Sequence, residues 1–241
     1  MYALRTILFL SVASILASAT LDSRQTGPGA EVLERYLAAS QAQQAQMRGL
    51  TMQVDIDASV PKLKKNGTLH ALRNISKLGQ ITYKALNFVG DKTIRNDVIA
   101  RYLTAETHAT TSRPTDMAIT PANYKFKYKG MVERENRLLH VFQLTPRKKK
   151  LGLFKGELWV DAATYMPLRE SGRMVKNPSV FLKKVTFIRD YEIRDGIAFP
   201  RHLESTIQTR LVGTARLDVS FRDFAKADAT QACAAQPAGA E

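Results

Sequence analysis

Over much of this chain, polar and apolar residues alternate one for one. Met52, Val54, Ile56 and Ala58 alternate with Thr51, Gln53, Asp55 and Asp57. A period of two predicts a strand with one buried face and one wet face. Pro61 to Gly67 (PKLKKNG) predicts a turn, after which Leu69, Ala71, Arg73 and Ile75 share a face of the next strand. A third run, Ile81 to Val89, ends at Gly90-Asp91. Further on, Tyr124, Phe126 and Tyr128 alternate with Lys125, Lys127 and Lys129. Leu138 to Leu144 and Leu153 to Asp161 read as two strands joined by the charged tip Thr145 to Lys150. Pro167 to Gly172 gives a short strand, and Phe181 to Tyr191 sets Val185, Phe187 and Tyr191 on one side. Asp195-Gly196 is a two-residue hairpin signal, and Ile197, Phe199 and Leu203 open the returning strand. A last strand is predicted from Leu211 through Phe221.

Two segments carry a helical period instead. Val32, Leu33, Tyr36 and Leu37 make one apolar stripe, Ala38 to Gln46 continues with good helix formers, and Gly49 is a stop. In 93–106, Ile94, Val98 and Tyr102, together with Ile99 and Leu103, make a wide apolar face. The polar stretch Thr107 to Thr120 reads as a loop. The pattern therefore predicts an α+β fold of many long antiparallel strands, which can form one strongly curved sheet, with helices available to cover its concave face. A sheet that does not close exposes one apolar side, and the two striped helices are available to cover it. Imperfect packing of such a cover leaves a cavity for an apolar ligand.

The N-terminus sets the compartment. Arg5 precedes an apolar run from Thr6 to Leu16, too short to span a bilayer comfortably, and Ala17-Ser18-Ala19 is an A-x-A cleavage site. Residues 1–19 thus read as a secretory signal peptide, so the mature protein is exported. Residues 20–30 read as a flexible leader, 31–225 as one folded domain and 226–241 as a disordered tail. With 36 Lys+Arg against 22 Asp+Glu, the net charge is +14. Such charge usually suggests nucleic acid, but an exported protein seldom meets it. Anionic lipid headgroups are the alternative partner, and plain solubility is the other reading of the surplus. The lysines of 125–129 and 148–150 carry the same two readings. Cys233, the one cysteine, excludes a disulfide scaffold and a four-cysteine metal site.

Catalytic signatures are missing. The G-x-S-x-G elbow, H-E-x-x-H, the phosphate-binding loop and G-x-G-x-x-G do not occur. Of four histidines, His70, His140 and His202 fall on predicted strands and can converge only if the topology brings them together. Asp55 and Asp57 share a wet face, the ordinary place for a solvated pair. The expectation is a binding protein, not an enzyme, with no cofactor and no metal.

Two hairpins carry more information. One is Leu153-Phe154-Lys155-Gly156-Glu157-Leu158-Trp159-Val160-Asp161, followed by Thr164 and Pro167-Leu168-Arg169. The other runs through Tyr191, Asp195-Gly196, Phe199-Pro200 and Glu204-Ser205. With the signal and first helix, they resemble the LolA-like family of periplasmic outer-membrane lipoprotein-sorting proteins, over roughly 30–225. The resemblance implies an open half-barrel that shelters acyl chains of lipoproteins or phospholipid on their way to the outer membrane. It also implies an inner-membrane export complex and an outer-membrane acceptor as partners, and a monomeric carrier. The wall of the expected cavity is Val54, Ile56, Ile81, Tyr83, Phe142, Leu158, Val185, Phe187, Leu217 and Val219. The same residues also suit ordinary core. Val98 and Tyr102 belong to the lid, and Arg73 stands where the family's basic residue holds the lid closed. The alternative function is a periplasmic sensor of mislocalised lipoproteins that regulates the envelope response. Such sensors carry a second C-terminal domain, whereas a short tail follows Phe224 here.

Overall fold

The computed structural model describes residues 27–111, 114–177 and 181–226. The expected signal peptide, its cleavage site and Cys233 lie outside the described residues. Helix α1 (Pro28–Gln46) begins three residues inside the stretch expected to be leader, because Pro28 pre-sets the first helical turn. Ten strands follow: β1 (Leu50–Val60), β2 (Lys65–Ile75), β3 (Ile81–Gly90), β4 (Tyr124–Arg134), β5 (Arg137–Pro146), β6 (Phe154–Asp161), β7 (Pro167–Met174), β8 (Leu182–Arg194), β9 (Ile197–Thr209) and β10 (Thr214–Lys226). Between β3 and β4 the chain forms α2 (Lys92–Ile94), a π-helical turn (Arg95–Ile99) and α3 (Ala100–Thr111).

All ten strands belong to one antiparallel sheet, in the order β3-β2-β1-β10-β9-β8-β7-β6-β5-β4. Among the described residues the edges β3 and β4 do not pair, so the sheet is open, as the resemblance implies. Its curvature comes from irregular pairings, among them those at Thr51/Gln53, His70/Ala71, Tyr128/Gly130 and Asp190/Tyr191; an extra residue bends its strand. Lys125, Lys127 and Lys129 project outward from the edge strand β4 and are exposed. Charge there blocks pairing with another sheet.

The inner face supplies the core. Met52, Val54, Ile56, Leu158, Val160 and Val219 are fully enclosed, together with Val32 and Tyr36 of α1 and Ile94 and Ile99 of the second helical segment. The π turn explains that last pair. Five residues apart, Ile94 and Ile99 would diverge on a regular α-helix; the wider turn brings both against the sheet. Val98, Tyr102 and Leu103 pack beside them, half-buried.

Three element boundaries differ from the sequence reading. The turn after β1 is shorter than 61–67: a 3-10 turn at Pro61–Leu63 and a left-handed Lys64 (φ 52°) reverse the chain, and β2 starts at Lys65. The stretch from Thr107 is not all loop, since α3 continues to Thr111 and a 3-10 turn covers Pro114–Asp116. The last strand begins at Thr214. β9 runs on to Thr209, where its hydroxyl and backbone close the turn onto Gly213, so Leu211 sits exposed in the hairpin despite its matching period. Asp195-Gly196 does form the tight β8–β9 turn, with both φ positive (50° and 74°).

The β6–β7 pair is unusually close at Gly156 and Gly172. A Cβ on Gly156 would lie 1.9 Å from the Ser171 carbonyl oxygen. Gly156→Ala is therefore expected to destabilise the fold by about 1–3 kcal/mol, read as a lowered melting temperature. An unchanged melt would show that the strands have room there.

Candidate functional site

The inner face is largely apolar, and its charged side chains gather at one end of the helical cover. There four charged side chains lie together, from β2, β7, β8 and α3. Glu106, on the underside of α3, stands 3.4 Å from Arg73 of β2 and 3.7 Å from Arg189 of β8. Arg189 is also 3.6 Å from Glu170 of β7. The charges thus alternate Arg73, Glu106, Arg189, Glu170. Tyrosines complete the cluster: Tyr83 donates to Glu106 at 2.8 Å and accepts from Arg73 at 3.1 Å, and Tyr191 donates to Glu170 at 2.9 Å. Arg73 also contacts the Met52 sulfur at 3.4 Å and lies over the Phe221 ring at 5.8 Å.

Local sequence explains these positions. Arg73 occupies the inward row Leu69, Ala71, Arg73, Ile75, where the alternation puts apolar residues. Arg189 follows Phe187 at i+2 and so shares its inward side. Glu106 lies seven residues beyond Ile99, two turns along the same helical face. Burial and neighbours then set the protonation states. Burial disfavours the charged Glu106, but Arg73 and Arg189 override it and hold its carboxyl below the ordinary value. Burial likewise opposes the Arg73 charge, and Glu106 with the nearby tyrosines outweighs it. For Arg189 burial is again opposed, by Tyr191, Glu170 and Glu106. Tyr83, Tyr102 and Tyr191 are pushed above the usual phenol range, chiefly by burial, and stay protonated donors. Among the described residues the buried Tyr102 hydroxyl, unlike those of Tyr83 and Tyr191, meets no hydrogen-bond partner.

A cavity of about 160 Å³ adjoins the cluster, lined in part by Gln43 and Met47 of α1, Arg73, Glu106, Arg189 and Phe221. It is smaller than the roughly 300–1,000 Å³ of a drug-sized pocket, so the wall is closed over. Helix α1 is held to the same end by Gln43, whose side-chain amide donates to the Ala198 carbonyl at 2.8 Å and accepts from the Ala198 N–H.

The expected wall residues lie where the alternation put them. Val54, Ile56, Ile81, Phe142, Leu158, Phe187, Leu217 and Val219 are buried in one cluster, and Tyr83 packs against it. Val185 is half-buried and lies outside that cluster. Helical side chains, not empty space, cover them. Val98 and Tyr102 are part of that cover, and Arg73 contacts the cover through Glu106. Sequence reading did not single out Glu106, Glu170, Arg189 or Gln43. Arg189 alone carried a signal, a cation in register with Phe187 and Tyr191 on a strand otherwise read for its apolar side.

The histidines do not converge. His70 meets Asp55 on the outer face at 2.5 Å, His140 meets the Tyr128 hydroxyl at 2.8 Å, and His202 meets Asp218 at 2.8 Å. Strands β1 and β10 separate His70 from His202. His202, Glu204 and Asp218 offer ligand atoms within 4.8 Å of one another, but the two ring nitrogens of His202 face different carboxylates, a surface ion-pair arrangement. Asp55 is bridged by His70 and Arg222 rather than acting with Asp57. Among the described residues no helix is long and apolar enough to cross a membrane.

The cluster makes closure of the second helical segment pH-dependent. A carboxyl held below its ordinary value stabilises the closed form above about pH 4.5, and that contribution is lost as pH falls through the lowered value. The protection factors of the α3 amides, their exchange rates corrected for the intrinsic slowing of amide exchange in acid, are expected to fall at acid pH. Glu106→Gln is expected to exchange quickly already at pH 7, its local opening eased by about 3 kcal/mol, with little further response to acid. Equal exchange in the two proteins at pH 7 would show that the ion pairs do not fasten the helix.

No protein-family model and no curated protein matches the chain. Solved structures do. A LolA superfamily protein, NE2245 from Nitrosomonas europaea, is 12% identical with a TM-score of 0.41, over 81% of this chain and 94% of that one. A DUF1329 family protein from Desulfovibrio piger gives the same identity and score over 81% and 92%. A domain from Vibrio parahaemolyticus described as an outer membrane lipoprotein-sorting protein is 14% identical, with a TM-score of 0.39, over 80% and 92%. At these scores the functional reading rests on the chain's own residues.

Proposed function

We propose that this protein is a periplasmic carrier that shelters the acyl chains of lipoproteins or lipids, that the segment from α2 through α3 is its lid, and that the structure is its closed, unloaded state. The observation that carries the reading is the way the lid is fastened. It covers an apolar wall, yet its far end is held by Glu106 between arginines on two separate strands. A structural helix is more simply sealed with apolar contacts.

Magnitudes favour a reversible cover. Seating Ile94 and Ile99 contributes roughly 3–6 kcal/mol together. An acyl chain of about twelve methylenes gains roughly 10 kcal/mol on the same wall, enough to displace the lid while leaving a moderate net affinity. A carrier needs that balance, because it must release its load.

The test is native mass spectrometry of the protein purified from a periplasm under mild conditions. Masses of one or two lipid molecules on the chain are expected, with a larger occupied fraction in Glu106→Gln. Bare protein in both would overturn the carrier reading. A co-purifying protein in place of lipid would favour the envelope-stress sensor, and turnover of an added lipid ester would favour an enzyme.

A further inference from the structure

We propose that Arg73 and Arg189 form a recognition site for the anionic headgroup of a lipid, a phosphate or a carboxylate, and that Glu106 occupies this site in the closed state. The proposal rests on the acyl-carrier reading and adds the headgroup to it.

Of the four clustered charges, Arg73, Arg189 and Glu170 belong to the sheet, and Glu106 alone rides on the lid. Closed, the cluster is neutral. When the lid lifts, two guanidiniums remain with one carboxylate. Glu170 stays with Arg189 and Tyr191, so Arg73 keeps the Tyr83 hydroxyl, the Met52 sulfur and the Phe221 ring. An unmatched cation beside an apolar wall is strongly disfavoured. An anion is therefore drawn to the place Glu106 leaves. That place already accepts a carboxylate within reach of both arginines, and guanidinium groups match phosphate and carboxylate oxygens in paired hydrogen bonds.

The surroundings select an amphiphile over a free ion. Arg73 touches Met52 and faces Phe221, and Met52 opens the enclosed row Met52, Val54, Ile56 of β1. Headgroup site and acyl wall are thus contiguous. Glu106 then acts as an internal competitor, so ligand entry and lid release are the same exchange of one anion for another.

Calorimetric titration of the full protein with four probes tests this: palmitate, monopalmitoyl phosphatidylglycerol, uncharged monopalmitoylglycerol and inorganic phosphate. The two charged lipids are expected to bind about tenfold or more tightly than the uncharged one, the worth of a charge-assisted bond. Arg189→Gln should collapse that ratio toward one, and Arg189→Lys should keep part of it. Glu106→Gln should tighten all three lipids by a common factor, because it weakens the closed state and leaves the open site intact. The exposed control Lys176→Gln should change neither. Equal affinity for charged and uncharged lipids in the wild type would overturn the headgroup site while leaving the carrier. No lipid binding by either wild type or Glu106→Gln would overturn both. Inorganic phosphate binding as tightly as the lipids would make this a free-anion site and overturn the lipid assignment. The wild-type comparison decides even if Arg189→Gln does not fold.

Discussion

A carboxylate on the buried side of a helix costs several kcal/mol unless cations meet it there. Glu106 is met from two directions, by Arg73 on β2 and Arg189 on β8. Strands β1, β10 and β9 lie between those two. On a flat sheet β2 and β8 would be about 19 Å apart, too far for one side chain to bridge. The contact exists because the bulged strands bend the sheet and bring both inner sides toward the helix above. Curvature, lid and charge cluster are therefore one constraint: flatten the sheet and Glu106 loses a partner.

An ionic fastening also differs in kind from an apolar one. A buried ion pair adds little net stability compared with well-packed hydrocarbon, yet it fixes one geometry and is costly to leave half-broken. The lid here combines a modest apolar seat at Ile94 and Ile99 with such a pair at Glu106. On the carrier reading, such a fastening would fix one closed position while adding little to its stability.

The strands were legible because a half-buried sheet writes its burial directly into a period of two. Met52, Val54, Ile56 and Ala58 say which side is inside without any neighbour. The open edge did not follow from that pattern, which a closed barrel shares, and came from the family resemblance; given an open sheet, the need for a cover followed from its apolar side. The charge cluster was not legible, since periodicity marks a side chain as inward only when it is apolar. Arg189 shares its side with Phe187, but nothing local says that Glu106, more than eighty residues earlier, will face it. Arg73 was found through the family resemblance, and its partner only through the fold. Gln43 looked like a helix former in an Ala/Gln stretch, and its two bonds to Ala198 depend on the curvature that brings β9 under α1. Leu211 failed for the opposite reason: it kept the period, but turn chemistry at Thr209 and Gly213 ended the strand pattern first.

The two ends of the lid are held differently, and that gives the opening a direction. At its start, Asp91 caps the helix by accepting from the Thr93 N–H at 2.7 Å, and Lys65 of β2 donates to Thr93 at 2.9 Å. Gly90 at φ 120° packs so closely on Gly67 that a Cβ would lie 2.5 Å from it. This end is pinned by backbone. Glu106 lies fifteen residues further on, about 22 Å along the axis at 1.5 Å per residue. A rotation about Gly90-Asp91 therefore moves Ile94 least and Glu106 most, and the π turn between them is a natural place to bend. If the segment is the lid proposed above, the wall uncovers first at the arginines and last at the hinge. An amphiphile entering by that route meets Arg73 and Arg189 with its polar end while its chain runs inward along the β1 row.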